Sequence, residues 1–183
     1  METDAACADL SFAATLDRST LEHEFDRLLA ENGPGMARLA ASYTNTPSDR
    51  DDLLQEIAMA VWRALPGFRG ECSARTFLYR IAHNRALAYL ARNRSLFPAA
   101  GAETDAPDPA PDPESGMARA QAAERLHRAV RRLPLLYRQA ITLTLEGLSY
   151  AEIAEVLGIS ESNAGARLSR ARLLLREALE TSK

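Results

Sequence analysis

Lysine is almost missing from this chain: every base except Lys183 is Arg. Cysteine is scarce too. Cys7 and Cys72 are the two present, 65 residues apart, a separation that matches no metal-ligand or redox spacing. They read as ordinary reduced thiols. The three histidines, His23, His83 and His127, are isolated, and no nucleophile–base spacing accompanies them. No enzyme activity, metal or cofactor is therefore expected. No apolar run approaches the ~18 residues of a membrane span, and the acidic start Met1-Glu-Thr-Asp has the wrong sign for an export signal. A cytoplasmic protein without stable membrane insertion is expected. Strand alternation with hairpin turns is also lacking.

What is present is charge sorted along the chain. The net charge of −3 over 183 residues hides two basic segments. Residues 57–95 carry seven Arg against the single acid Glu71, and residues 119–183 carry eleven bases against seven acids. Between them, residues 96–118 hold five acids and no base. Five prolines fall in that interval, and each removes a backbone donor and turns its predecessor away from the helical region. Residues 96–118 are thus expected to be a flexible Pro/Asp-rich linker between two small helical bundles in an all-α fold. The expected layout is a tail over 1–20, a first module over 21–95, and a second over 119–183.

The first module is expected to hold helices near Leu21–Ala30, Gly35–Thr44, Asp51–Leu65 and Thr76–Ala91. Leu54, Ile57, Ala58, Val61, Trp62 and Leu65 make the i, i+3, i+4 stripe of the third, with Ser48-Asp49 as its cap and Pro66-Gly67 as its stop. Asp52, Gln55 and Glu56 then share a polar face that could meet a basic helix or simply face water. Further on, Arg80, Asn84, Arg92 and Arg94 lie among Phe77, Tyr79 and Tyr89. Arginine beside aromatic rings is what single-stranded DNA needs, phosphate neutralisation plus flat surfaces for unstacked bases. On its own this pattern favours the plainer account, in which Phe77 and Tyr79 are simply core residues.

The second module predicts helices over Arg119–Arg132, Leu135–Glu146, Tyr150–Leu157 and Ser162–Glu180. Its sharpest signal is Ser149-Tyr-Ala-Glu-Ile-Ala-Glu-Val-Leu-Gly-Ile-Ser. Small Ala154, turn Gly158, apolar Ile159 and cap Ser160 together describe a helix-turn-helix. Ala164, Leu168, Ala171 and Leu175 would be buried, leaving Asn163, Arg167 and Arg170 on the outer face where a recognition helix meets the major groove.

Taken in order, these pieces resemble the extracytoplasmic-function (ECF) group of the sigma-70 family of RNA polymerase sigma factors, from Phe25 to Leu179. Asp51-Asp-Leu-Leu-Gln-Glu with Trp62-Arg-Ala-Leu-Pro-Gly-Phe-Arg-Gly resembles its region 2.2, and Arg75-Thr-Phe-Leu-Tyr-Arg-Ile-Ala-His-Asn its regions 2.3 and 2.4. Leu133-Pro-Leu-Leu-Tyr-Arg-Gln-Ala and Leu145-Glu-Gly-Leu-Ser-Tyr-Ala-Glu-Ile-Ala resemble region 4. The resemblance implies an alternative sigma factor controlled by an anti-sigma factor, with core RNA polymerase and promoter DNA as its other partners. Asp51, Asp52, Gln55, Glu56, Trp62 and Arg63 would bind the β′ clamp, and region 4 the β flap. Arg75, Phe77, Arg80, Asn84, Arg92 and Arg94 would engage the −10 element, with Asn84 at a flipped base. Ser160, Ser162, Asn163, Arg167, Ser169 and Arg170 would engage the −35 element.

Three positions depart from the family pattern. Phe77 stands where Trp is usual, Gly165 where Lys or Arg is usual, and Ala166 where Ser is common. The recognition helix thus lacks one contact and one hydroxyl. Two other readings stay open on these residues: a helix-turn-helix repressor or activator independent of polymerase, and a sigma mimic that sequesters an anti-sigma factor.

Overall fold

The computed structural model describes residues 18–93 and 115–181, with side chains of the second stretch described from 122 onward. Most of the linker expected over 96–118, most of the tail over 1–20, and Arg94 lie outside the described residues. Seven α-helices, one short 3₁₀ turn at Leu65–Gly67 and no strand make up what is described.

Helix α1 spans Arg18–Ala41, unbroken through Gly33-Pro34-Gly35. Two helices were expected there, because Pro34 cannot donate to a carbonyl one turn back. Burial overrides that local loss. Leu28, Asn32, Met36, Leu39 and Ala40 lie on one buried stripe that runs across the proline, and Asn32 Nδ2 donates to the Leu28 carbonyl at 3.0 Å.

Helix α2 (Pro47–Ala64) begins four residues before the expected Asp51. Its cap is Thr46, not Ser48-Asp49: the Thr46 hydroxyl accepts from the Asp49 N–H at 3.1 Å, and Pro47 supplies a preset first-turn φ. Leu53, Ile57 and Val61 bury against α1 and against α3 (Ala74–Arg92), whose Leu78, Tyr79, Ala82, Ala86 and Tyr89 complete the first core.

The second module starts at Ser115, inside the interval read as linker. It comprises α4 (Ser115–Arg132), α5 (Leu135–Leu145), α6 (Tyr150–Leu157) and α7 (Glu161–Thr181). Ala164, Leu168, Ala171 and Leu175 bury as the spacing predicts, against Ala140, Leu143, Ile153 and Ala154. The two helical modules do not stand apart. α3 packs along α6, and one continuous apolar core runs from Met36 to Leu175.

Candidate nucleic-acid interface

The polar face of α2 is built by its inward stripe. With Leu53, Ile57 and Val61 fully buried, Asp51, Asp52 and Gln55 are left in solvent, as is Arg63. Glu56 differs from its neighbours. Both of its oxygens accept from Arg92 Nη2 of α3, at 2.6 and 2.8 Å. Trp62 is half-buried and meets the Phe25 ring edge-on, with centroids 5.3 Å apart. A shallow groove between α2 and α3 is lined by Glu56, Met59, Arg63, Arg85 and Arg92, with Met59 exposed on its rim.

Ser73 caps α3 by accepting from the Thr76 N–H at 3.0 Å, and this sets the rotation of everything downstream. The residues expected at the −10 element fall into separate places. Asn84 is exposed, and so is Arg85 beside it, which the sequence reading passed over. Phe77 is half-buried on Phe68, ring centroids 4.6 Å apart. Arg92 is held by Glu56. Arg75 and Arg80 face the second module: Arg75 stacks over the Tyr79 ring and donates to the Glu146 carbonyl, whereas Arg80 lies 3.7 Å from Glu155 and donates to Cys72 Sγ at 3.3 Å. Burial pushes the Cys72 thiol and the Tyr79 phenol upward, with Glu155 and Glu146 respectively adding to the shift. Burial alone pulls His83, packed edge-on against Tyr43, down to about 4.

The helix-turn-helix is closed by three local devices. Ser149 and Glu152 form a capping box, the Glu152 N–H on Ser149 Oγ at 3.3 Å and the Ser149 N–H on Glu152 Oε2 at 2.8 Å. That Ser149 N–H, with the Ser149 hydroxyl donating to the same Glu152 Oε2 at 2.8 Å, holds the Glu152 carboxyl below its usual range. Gly158 takes φ 64°, and the Ile159 N–H returns to the Ala154 carbonyl at 3.0 Å. Ser160 then caps α7, accepting from the Asn163 N–H at 3.2 Å. The outer face of α7 presents Ser162, Asn163, Ser169 and Arg170 to solvent. Arg167 is half-buried and donates to Asn163 Oδ1 at 3.1 Å, so this pair presents itself already oriented. A helix with that face is shaped to enter a major groove, where arginine and asparagine can pair with base edges.

One group at the heart of the molecule carried no signal in the sequence. Glu146, at the end of α5, is buried and accepts from Arg38 of α1 at 2.9 and 2.6 Å. Nothing local distinguishes it from a solvated acid, and its partner is 108 residues away.

Comparison with known proteins agrees with the geometry. A family model described as sigma-70 region 2 matches residues 28–96, and one described as sigma-70 region 4 matches residues 123–175. The RNA polymerase sigma-H factor of Pseudomonas aeruginosa is 34% identical over 166 residues, covering 85% of this chain and 86% of that protein. The ECF RNA polymerase sigma-E factor of Escherichia coli K12 is 32% identical over 158 residues, 81% of this chain and 82% of the other. Among solved structures, CnrH in complex with the cytosolic domain of CnrY superposes with a TM-score of 0.66 at 28% identity, over 88% of this chain and 91% of that one. The sigma factor RpoE in complex with the anti-sigma factor NepR from Bartonella quintana shares the fold, with a TM-score of 0.68 at 24% identity over 87% and 99% of the two chains.

Proposed function

The chain belongs to the ECF group of the sigma-70 family, and from that premise we propose the division of labour among its helices. It is a transcription initiation factor that joins core RNA polymerase, directs it to promoters and answers to an anti-sigma factor. Sigma factors work without catalysing a reaction. Its site of action is the cytoplasm, and among the described residues no helix is long and apolar enough to cross a membrane.

The first module, read over 21–95, carries polymerase binding on α2 and −10 recognition on α3. Asp51, Asp52 and Gln55, all exposed to solvent, meet the clamp first, with Trp62 and Arg63 beside them and Glu56 available once it leaves Arg92. Asn84, exposed midway along α3, reads the flipped base, because an amide offers both a donor and an acceptor to a base edge. Arg75, Phe77, Arg80, Arg92 and Arg94 serve the surrounding strand. The second module, read over 119–183, places α7 at the −35 element through Ser160, Ser162, Asn163, Arg167, Ser169 and Arg170.

The observation that carries this reading is the exposed α2 acid face in the same chain as a closed helix-turn-helix, with both family matches in that order. A repressor independent of polymerase would leave the first match and the α2 face without a role. Promoter-dependent run-off transcription with core polymerase tests it. A defined transcript that requires both this chain and a promoter is expected, and DNA binding without a transcript would overturn it.

A further inference from the structure

The most outward line of the recognition helix carries no arginine. At about 3.6 residues per turn, Ser162, Ala166, Ser169 and Leu173 fall opposite the buried Ala164, Leu168, Ala171 and Leu175. All four are exposed, and Leu173 keeps 41% of its surface in solvent. The longer side chains stand to either side of that line. Asn163, Arg167 and Arg170 lie on one flank, and Arg172 and Arg176 on the other.

Two of those arginines are drawn sideways by partners. Arg167 Nε donates to Asn163 Oδ1 at 3.1 Å, and Arg172 Nη1 donates to the Tyr150 hydroxyl at 3.2 Å. The Tyr150 ring in turn stands beside Gly165, 3.8 Å from the point a Cβ would occupy. Gly165 and Ala166 therefore offer DNA a bare backbone and one methyl group, with an aromatic ring alongside and no side-chain donor of their own. The missing side chain at Gly165 also lets this turn come close to whatever it faces.

In the major groove, the 5-methyl of thymine is the one apolar group on any base edge. An alanine methyl pressed against it takes two apolar surfaces out of water. Pressed against the edge of a G·C pair, the same methyl strips water from polar atoms and returns no hydrogen bond. Apolar fit can thus choose a base where hydrogen bonding has nothing to offer.

We propose that α7 selects thymine at one position of the −35 element through its 5-methyl group, with Ala166 as the reading residue. The proposal rests on the −35 reading of α7 above and deepens it. The flanking arginines hold the backbone and neighbouring bases, and the middle of the site is chosen by the methyl contact.

The test uses the full chain with core polymerase, and the preference of that holoenzyme supplies the probe. Promoter duplexes randomised across both elements are selected for binding to it. The enriched duplex is then remade with each −35 thymine replaced singly by deoxyuridine, which pairs identically and lacks only the methyl group. At one position the exchange should weaken binding about threefold to fivefold, the effect of one buried methyl group. Ala166→Gly should bring that thymine-to-deoxyuridine ratio close to one, whatever it does to affinity overall. The deoxyuridine series on the wild-type chain needs no variant, so it decides the matter even if Ala166→Gly folds poorly. Enrichment of a −35 sequence with no methyl-sensitive thymine would overturn the proposal. So would a methyl effect that persists undiminished in a folded Ala166→Gly chain, since another residue would then be its reader. If selection enriches a −10 sequence and no −35 sequence at all, the −35 reading of α7 itself fails, a result distinct from either.

Discussion

His83 should make the stability of this protein fall steeply on mild acidification. The residue is 4% exposed in α3, its ring edge-on to Tyr43, and Nδ1 has no hydrogen-bond partner among the described residues. Burial holds its pKa at about 4 against an ordinary 6.5. The sign follows from which state takes the proton first. Above pH ~6.5 both folded and unfolded imidazoles are neutral, and His83 contributes no pH dependence. As pH falls below that, the unfolded chain binds a proton that the folded chain refuses, so stability drops by about 1.4 kcal/mol per pH unit until the folded ring titrates. Between pH 7 and pH 5 the loss is about 2 kcal/mol from this one side chain, a large share of the ~5–15 kcal/mol that holds an ordinary domain together. Urea unfolding can be followed by the fluorescence of Trp62, the single tryptophan, which packs on Phe25 in the same module. Measured at both pH values, the wild type and His83→Gln should differ in their pH 7-to-5 loss by that amount, with the carboxylates common to both cancelling. Parallel losses within about 0.5 kcal/mol would refute the argument, since an exposed or already protonated ring behaves that way.

Three other outcomes are expected. Asp52→Lys should weaken association with core polymerase in a native-gel titration, while its unfolding free energy stays within about 0.5 kcal/mol of wild type, because the side chain is exposed; equal losses in both would remove it from the interface. Asn84→Ala should leave binding to a −35 duplex unchanged and reduce permanganate reactivity of thymines at a matched −10 element, whereas unchanged reactivity would make Asn84 a surface residue. Gly165→Ala should raise thermal stability by up to about 1 kcal/mol, since the new Cβ would meet the Tyr150 ring at an ordinary 3.8 Å; a lowered melting temperature would contradict that fit.

The helix-turn-helix was legible from residue types because everything that shapes it is local. Ser149 with Glu152, Gly158 with Ala154, and Ser160 with Asn163 each act within four residues. The buried stripe of α7 follows from the same periodicity. Where burial competed with a local signal, the local signal lost: Gly33-Pro34-Gly35 reads as a break, yet Leu28 on one side and Met36 on the other share a single buried stripe. Thr46 escaped notice as a cap for a subtler reason. Ser48 and Asp49 are also good capping residues, and the choice was settled by Asp49 serving as the N–H donor three positions on. Contacts between the two modules had no signature at all. Glu146, Glu152 and Glu155 look like solvated helix acids, and their partners lie 71 to 108 residues upstream. Glu56, read as a free member of an acid face, is tied to Arg92 for the same reason.

Glycine 35 gives the familiar engineering rule of replacing a helical glycine with alanine an exception that the helix itself would not reveal. In isolation the change should add stability, because glycine gives up the most backbone freedom on folding. At Gly165 it is expected to do so. At Gly35 a methyl group would collide with the Tyr79 hydroxyl and stand 2.6 Å from Glu146 Oε2, so the space missing from one helix is the socket in which two others are seated. The smallest side chain addition chemistry allows would therefore be felt in both modules at once, and a residue remote from polymerase and DNA in every assignment above sets how closely the halves of the protein can meet.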